Sequence, residues 1–379
     1  MKKFFLFLLS VIGIVLLGGI GSLFINAYTP RLASVPFLNT LSIFKKITDR
    51  VTVINKTEQI VVREDDSVEK IISQPSTAVV KVFIFSEDTK SEKNEISFNR
   101  TGVLLTNDGL IALYSEQPFS VTSRYRILFP DGTDRTADFF GYDTFTNIVF
   151  LRLSDMKNSS SIALANSDDV RVGKKVVVIG SAETEYQSRL AVGILGNINH
   201  TFNLSGKTVS SSEKLEGVFE MDVQNLGSFV GGPAVGFNGE MIGLVGSLTI
   251  DNTLHTFLIP ANIVRDALNR AIAQTLTKRP VFGVYYLSIT KTLALTMHLD
   301  RTEGALVYSP SGKTGLALLS NSSAMRAGLQ FGDIILSIDG TNISPHNPLS
   351  VALSHYSIGD TILLRVLHNG EEKTISIQL

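Results

Sequence analysis

The stretch Asp222-Val-Gln-Asn-Leu-Gly-Ser-Phe-Val-Gly-Gly-Pro233, followed by Asn238-Gly-Glu-Met-Ile-Gly-Leu244, decides the fold of this chain. Its paired glycines before a proline suit a particular chain path and close strand packing rather than chemistry. On the N-terminal side, from Ala78 to about Leu195, short runs rich in Val, Ile, Phe and Thr alternate with turn signals such as the Asn-Asp-Gly at 107–109. This spacing is typical of an all-β region.

On the C-terminal side, Pro260 to Ala273 has the apolar period of an amphipathic helix, which closes the β region. Beyond Arg279 a second pattern of short strands and two helices occupies about 100 residues and predicts a separable α+β module. Its predicted strands are Phe282 to Ile289, Gly304 to Tyr308, Asp333 to Asp339, Thr361 to His368 and Lys373 to Leu379. Its predicted helices are Ser322 to Gly328 and Leu349 to His355.

The composition excludes several classes of function. The chain has 379 residues, a formal net charge of -1 and only 18% charged residues, so it has no electrostatic means of gripping nucleic acid. It has no cysteine, which removes disulfides, thiolate metal sites and cysteine nucleophiles. The six histidines never stand three or four residues apart, and the Gly-Lys-Thr at 312–314 lacks the first glycine of a phosphate loop. We therefore expect no metal, no cofactor and no nucleic-acid partner.

The N-terminal part of the chain carries an apolar segment from Phe4 to Ile25, which as a helix of roughly 33 Å is long enough to span a bilayer. Lys2 and Lys3 precede it, and the positive-inside tendency then places the N-terminus in the cytoplasm. We expect residues 1–28 to be a single-pass anchor in the cell membrane, with the bulk of the chain extracytoplasmic. A cleaved signal peptide is the alternative.

Two further stretches are expected to lack regular structure. Residues 29–70 contain prolines, a charged run from Arg63 to Asp66 and no long period, which predicts a tether. Serine clusters at 159–161 and 210–212 are interpreted as loops rather than as functional tracts.

Three more stretches match one protein family, in the family's order. They are Thr101-Gly-Val-Leu-Leu-Thr-Asn-Asp-Gly-Leu-Ile111, Phe257-Leu-Ile-Pro260 and Ala324-Met-Arg-Ala-Gly-Leu-Gln-Phe-Gly-Asp-Ile-Ile335. With the stretch described first, they resemble the HtrA-type (trypsin-like, chymotrypsin-fold) serine proteases with a C-terminal PDZ domain. The resemblance implies a mainly β protein, with two six-stranded antiparallel β-barrels at residues 71–275 and an α+β PDZ domain at 279–379. It also implies assembly as a homotrimer.

The active positions of that family are replaced in this sequence. Counting from Gly102, the family's histidine falls on Glu116, and its aspartate motif places the aspartate on Asn147. The family pattern Gly-Asn-Ser-Gly-Gly-Pro places Val230 where the nucleophilic serine would stand. Valine has no nucleophilic atom, and a carboxylate at position 116 is already ionised and weakly basic at neutral pH. We therefore expect no catalytic residue.

Two hypotheses concern the polar groups near these positions. The Asn147 amide can be satisfied without charge, so we expect it to donate a hydrogen bond to the Glu116 carboxylate. Ser228 could act as a substitute nucleophile in a shifted loop, but the first barrel contains no histidine to serve as its base. We therefore expect Ser228 to be a turn residue with a hydrogen-bonded hydroxyl.

The PDZ-like module retains the means to bind a peptide. The loop that stands where the family holds a peptide's terminal carboxylate consists of Val281, Phe282, Gly283 and Val284. A ligand would add as a strand beside Gly283 to Tyr286, and Leu349 and Leu353 on the second helix would face its side chains. Ordinary helix packing is the alternative for both leucines. The apolar lining predicts a hydrophobic C-terminal residue on the ligand.

The sequence thus predicts a membrane-anchored HtrA-like pseudoprotease. It would bind peptide C-termini or unfolded polypeptide through its PDZ domain, in envelope protein quality control or regulation. One alternative is an active HtrA-type serine endopeptidase that uses a non-standard site. Another is a subunit that modulates an active homologue by mixed assembly.

Overall fold

The computed structural model describes residues 64–85, 96–119, 123–155, 160–181, 188–312 and 316–379, without the side chains of residues 64–67 and 96–98. The predicted membrane anchor and most of the predicted tether lie outside the described residues. Within the described ranges, no helix combines the length and the apolar character that crossing a bilayer requires.

The first described element is the helix α1 (Glu64–Ile72). It includes most of the charged run that predicted a tether. Val68, Ile71 and Ile72 pack against the apolar core of the barrels. The predicted boundary between residues 70 and 71 therefore falls inside a helix that belongs to the folded body.

Six antiparallel strands form the first closed barrel, in the order β1-β2-β3-β6-β5-β4. The strands are β1 (Val79–Phe85), β2 (Ile96–Leu104), β3 (Leu110–Tyr114), β4 (Arg124–Leu128), β5 (Asp134–Asp143) and β6 (Ile148–Leu153). The turn that leads from β2 into β3 contains Gly109, whose φ of 84° explains why a glycine follows Asn-Asp there.

A second closed barrel follows, in the order β10-β13-β12-β11-β7-β8. Its strands are β7 (Lys175–Ser181), β8 (Ser188–Asn203), β10 (Glu216–Asp222), β11 (Pro233–Gly236), β12 (Met241–Ile250) and β13 (Thr253–Pro260). A two-residue strand, β9 (Ser210–Ser211), lies between β8 and β10 in sequence but outside this barrel. The two predicted six-stranded antiparallel barrels are thus confirmed.

The helix α2 (Ala261–Ile272) closes the second barrel as predicted. Its apolar face is buried at Val264, Ala267, Leu268 and Ala271. After a 3₁₀ turn, Arg279 makes a two-point ion pair with the fully buried Asp143 at the end of β5 (2.9 and 3.2 Å). The segment that leads to the C-terminal module is therefore fixed to the first barrel.

The C-terminal module is an antiparallel sheet covered by short helices. Its strands are β14 (Tyr285–Ser288), β15 (Ala305–Val307), β16 (Ile334–Ile338), β17 (Thr341–Asn342), β18 (Thr361–His368) and β19 (Glu371–Gln378). Its helices are α3 (Lys291–Met297), α4 (Ser323–Arg326) and α5 (Leu349–Ser354). The sequence predicted only two of these helices and missed α3, which Thr290 caps by accepting a hydrogen bond from the Leu293 NH.

The edge of this sheet is formed by a strand from elsewhere in the chain. The strand order is β19-β18-β16-β15-β14-β9, so the serines of β9 pair with β14. The prediction that the serine cluster at 210–212 is a loop is therefore wrong for its first two residues. Polar residues in a two-residue strand give no alternating apolar pattern from which such pairing could be predicted.

Candidate functional site

A cleft of about 730 Å³ lies where the two barrels meet. Among the residues that line it are Tyr114 at the end of β3 and Glu116 just beyond it. Ser228, inside a 3₁₀ turn before β11, and Val230, directly after that turn, line it too. The fold thus brings two of the three substituted family positions, Glu116 and Val230, into one cleft. It does so because β3 and the Gly-Gly-Pro segment belong to different barrels and meet at their junction.

The paired glycines shape this junction. Gly231 has a φ of +86°, and a Cβ atom there would lie 2.2 Å from the backbone oxygen of Thr101. A Cβ atom on Gly232 would lie 2.1 Å from the backbone oxygen of Ile179. Both contacts are with backbone, which cannot move aside as a flexible side chain can. The predicted role of the two glycines in close strand packing is therefore confirmed.

Val230 carries an aliphatic side chain at this position, and that side chain packs against the apolar cores of both barrels. As predicted, Ser228 is a turn residue with a hydrogen-bonded hydroxyl, because its Oγ donates to the Asn225 carbonyl at 2.8 Å. Its backbone NH donates to the same carbonyl at 2.9 Å. In trypsin-like sites the NH groups of the nucleophile and of the residue two before it bind the oxyanion. The latter NH is here engaged within the turn.

Asn147 lies behind the wall of the cleft and is 3% exposed. Its Nδ2 donates to the Tyr114 hydroxyl at 3.3 Å, and its Oδ1 accepts from the Tyr142 hydroxyl at 3.1 Å and from the Lys214 Nζ at 2.9 Å. The predicted hydrogen bond to Glu116 is therefore wrong. The physical reason is that the Glu116 side chain is exposed to water, whereas the Asn147 amide is buried. Its hydrogen bonds are made by Tyr114, Tyr142 and Lys214, whose proximity the sequence did not predict.

The titratable groups of the cleft do not form a relay. Burial raises the pKa of the Tyr114 hydroxyl well above its ordinary value, so this phenol stays protonated at neutral pH. All six histidines lie within the described ranges, and none lines the cleft. Two of them pair instead between β8 and the C-terminal module, where the rings of His200 and His346 have centroids 4.3 Å apart. The cleft therefore lacks an imidazole beside Ser228.

A second candidate site lies in the C-terminal module, at the loop that precedes β14. Gly283 has a φ of +80°, and a Cβ atom there would lie 2.2 Å from the Ser322 Cβ, so only glycine suits this position. Phe282 and Val284 are buried on either side of it, and Val281 is exposed. The backbone NH of Gly283 donates to a Glu213 carboxylate oxygen at 2.8 Å, and the Val284 NH donates to the Ser212 Oγ at 2.9 Å.

The structure brings the predicted helix residues close to this loop. Leu349 and Leu353 of α5 are 0% and 3% exposed and share one apolar cluster with Phe282, Val284 and Tyr286. Five of the six predicted peptide-binding residues therefore belong to one buried cluster or to the loop beside it, and Val281 points to solvent. That these residues bind a peptide stays a prediction.

Comparisons with known proteins agree with this architecture. The model of the trypsin-like peptidase domain matches residues 96–244, and that of the PDZ domain matches residues 299–379. Periplasmic serine endoprotease DegP of Escherichia coli strain K12 is 25% identical over 282 residues, which are 74% of this chain and 56% of that protein. The chain is an HtrA-type homologue with a C-terminal PDZ domain.

Other HtrA-type proteins extend the comparison. Serine protease Do-like HtrA of Bacillus subtilis strain 168 is 26% identical over 306 residues, which are 78% of this chain and 65% of that protein. The matched part of the chain thus spans less than two thirds of either relative. The solved structure of HtrA-type protease AlgW with a tripeptide has a TM-score of 0.63 at 21% identity, and covers 81% of this chain and 95% of that one. This similarity supports the fold alone.

Sequence reasoning missed the segment that contacts the PDZ loop of this HtrA-type chain. Glu213 stands 70 positions before Gly283, and both it and Ser212 lie in a serine-rich run with neither period nor motif. The only local signal was a charged pair, Glu213 and Lys214, directly after three serines, and a solvated loop has the same signal.

Proposed function

We propose that this chain is a membrane-anchored, extracytoplasmic HtrA-type pseudoprotease that binds peptide C-termini or unfolded polypeptide through its PDZ domain. The observation that carries the proposal is Val230. Its isopropyl group faces the junction of the barrels at the position where the family holds a serine hydroxyl. A side chain without a nucleophilic atom cannot form an acyl-enzyme, whatever surrounds it.

The size of the expected loss in catalytic rate argues against weak residual proteolysis by a triad mechanism. Removing the serine of a catalytic triad costs on the order of 10⁶ in rate, and what remains is background catalysis from binding and the oxyanion site. Here the background is reduced further, because the Ser228 NH is held within its own turn. Without a neighbouring imidazole, the Ser228 hydroxyl also lacks the base that would activate it.

The PDZ side of the proposal rests on backbone geometry. The NH groups of Gly283 and Val284 both donate to side-chain oxygen atoms of another segment of the chain. Consecutive NH groups of this kind capture a carboxylate, and the free edge of a strand beside them accepts an extended peptide. Similarity to the periplasmic endoprotease DegP supports capture of polypeptide segments in the cell envelope as the function of this geometry.

Activity is tested with the purified full chain. Casein turnover and labelling by a fluorophosphonate probe are measured beside E. coli DegP as positive control, and we expect neither turnover nor labelling. The variant Ser228→Ala is the matched control for the alternative, an active endopeptidase with a non-standard site. Labelling of the wild type that this substitution removes would overturn the pseudoprotease proposal in favour of that alternative.

Anchoring and assembly form a separate part of the proposal. The apolar segment Phe4 to Ile25 supports a single-pass anchor in the cell membrane. We expect the chain to stay with membranes after an alkaline carbonate wash, and its release into the soluble fraction would contradict an anchor. Native co-purification then distinguishes a homotrimer from mixed assembly with an active HtrA-type protease.

A further inference from the structure

The ligand edge of the PDZ domain is covered by the chain itself. Residues 210–213, named the plug segment here, leave the second barrel between β8 and β10 and lie beside β14. Ser211 pairs with Tyr285 and Ser210 with Tyr286, in antiparallel orientation. The plug segment thus occupies the strand position that an extended ligand would take.

The plug segment also runs in the direction of a ligand. Following its chain from Ser210 to Glu213 leads along β14 towards the loop at Gly283, where a peptide's C-terminus would lie. Ser212 engages both backbone groups of Val284. Its NH donates to the Val284 carbonyl at 2.9 Å, as in an added strand, and its side-chain Oγ accepts the Val284 NH at 2.9 Å.

Glu213 supplies the carboxylate. Its Oε1 accepts the Gly283 NH at 2.8 Å, in the place of a terminal carboxylate oxygen. The same carboxylate accepts the hydroxyl groups of Ser212 at 2.7 Å and Ser211 at 2.9 Å, which holds it in that position. Hydrogen bonds to an ionised acceptor are about twice as strong as neutral ones.

The segment is packed like a bound ligand rather than like a surface loop. Ser210, Ser211 and Ser212 are 3%, 8% and 6% exposed, although serines are among the residues that normally face water. On the barrel side, the next residue, Lys214, donates its Nζ to the Thr144 carbonyl at 2.7 Å and to the Asn147 Oδ1 at 2.9 Å. The plug segment is therefore held from both sides.

We propose that residues 210–213 are an internal pseudo-ligand of the PDZ domain, so that a peptide C-terminus binds only when the plug segment withdraws from β14. This inference rests on the proposed binding of peptides by the PDZ domain. Occlusion lowers the apparent affinity for a peptide by the fraction of molecules whose groove is open. Weakening the plug segment therefore raises affinity without any change in the residues that contact the ligand.

The test uses the full chain and fluorescein-labelled decapeptides that end in Val, Leu or Phe with a free carboxylate, and the amidated peptides as controls. Glu213→Ala removes the carboxylate, and we expect the dissociation constant to fall about tenfold, the effect of one lost charge-assisted hydrogen bond. Glu213→Gln keeps a neutral acceptor and should give an intermediate value. Glu240→Ala, in the turn between β11 and β12, is the matched control and should bind as the wild type does.

A second measurement needs no ligand. Hydrogen exchange at the amides of Ser212, Gly283 and Val284 should become about tenfold faster in Glu213→Ala than in Glu240→Ala, because the plug segment opens more often. Unchanged exchange, or equal peptide affinity in the wild type and Glu213→Ala, would overturn the pseudo-ligand. Faster exchange without binding of any carboxylate peptide would instead overturn the proposed function, peptide binding by the PDZ domain. It would still support the inference that the plug segment covers β14.

Discussion

Two regions of the molecule can be compared: the cleft between the barrels, and the groove of the PDZ domain, formed by the loop 281–284, β14 and α5. They differ in which features of a trypsin-like site or a PDZ domain they retain. In the cleft the backbone of a trypsin-like site is kept, with Gly231 and Gly232 packed against neighbouring strands, but the reactive position holds Val230. In the groove the recognition elements are kept, with paired NH groups beside an edge strand, but residues 210–213 fill them. One region has an aliphatic side chain at the family's nucleophile position, and the other is covered by the segment that we propose as an internal pseudo-ligand.

The two regions illustrate two ways in which a site can lose access to its ligand or its reaction, by substitution of a residue and by occupation of a groove. A valine at the reactive position is permanent, because no movement of the chain restores a hydroxyl. An occupied groove is reversible, because the occupying segment is bound by hydrogen bonds and a competitor can replace it. On the proposed function, the scaffold of the cleft contributes shape and stability, and the groove carries the regulated binding of peptides.

The largest expected effect tests whether the cleft keeps its backbone for structural reasons. Gly231→Ala places a Cβ atom against the Thr101 backbone oxygen at a φ of +86°, and we expect the free energy of unfolding to fall by about 4 kcal/mol. Gly173→Ala is the matched control, because its φ is +87° and no heavy atom lies within 4 Å of its Cβ. That variant should lose only about 1 kcal/mol. Equal losses in urea unfolding would show that packing at the cleft is unimportant.

The next effect concerns the connection between the two regions. Arg279→Met leaves the Asp143 carboxylate, which is 0% exposed, without its cation, and we expect a loss of about 3 kcal/mol. Arg301→Met, which breaks an exposed pair with Glu372, should cost less than about 1 kcal/mol. Chemical denaturation of both variants at neutral pH gives the comparison. A loss no larger for Arg279 than for Arg301 would contradict a structural role for the buried pair.

A pH-dependent effect is expected at the boundary of barrel and PDZ domain. Glu216, the first residue of β10, is 1% exposed, and burial raises the pKa of its carboxyl from 4.5 to about 7, against the opposing influence of nearby Tyr286, Ser288 and Ser210 hydroxyls. The folded state therefore holds this proton more tightly than the unfolded state, and stability falls as pH rises from about 4.5 to about 7.

Glu216→Gln mimics the protonated form at every pH. We expect it to match the wild type at about pH 3.5, below both pKa values, and to exceed it by about 3 kcal/mol at pH 8. His200, whose pKa is lowered by burial and by His346, changes stability in the opposite direction as pH rises, and it contributes equally to both proteins. The difference between the two unfolding curves therefore isolates the glutamate. A difference that does not depend on pH would rule out this titration.

The smallest effect tests whether the cleft side helps to hold residues 210–213. Lys214→Met removes the bonds to Thr144 and Asn147, and we expect the affinity for the labelled carboxylate peptides to rise about twofold to threefold. Lys373→Met, in β19 at the opposite edge of the sheet, is the matched control. Fluorescence anisotropy measures both. An unchanged affinity in Lys214→Met would mean that the PDZ contacts alone hold the segment.

The barrels and the substituted positions Glu116, Asn147 and Val230 could be predicted from the sequence, because both predictions depend on short, local patterns of residues. Alternating apolar runs and glycine turns determine strands one by one, and a single pattern ending in Gly-Gly-Pro determines the register that places Val230. The hydrogen bond expected between Asn147 and Glu116 was wrong because it required side-chain directions and burial, which a motif does not contain. Lys214, the partner that Asn147 has instead, comes from the other barrel.

The helix α3 and the strand β9 were missed for different reasons. The helix α3 is short and depends on the Thr290 cap more than on an apolar period. The strand β9 exists only because β14, far along the chain, offers it an edge. Pairing between a polar dipeptide and a distant strand depends on tertiary context, which the local sequence does not contain.

The bond between Lys214 and Asn147 connects the segment beside the PDZ domain with the wall of the cleft. Asn147 also binds the Tyr114 hydroxyl, and the Tyr114 side chain lines the cleft. A small molecule that enters the cleft and favours one position of Lys214 must alter peptide affinity by a certain factor, and the peptide must alter the affinity for that molecule by the same factor. Compounds that control peptide capture can therefore be sought by a thermal-shift screen against the cleft, before the natural peptide is identified.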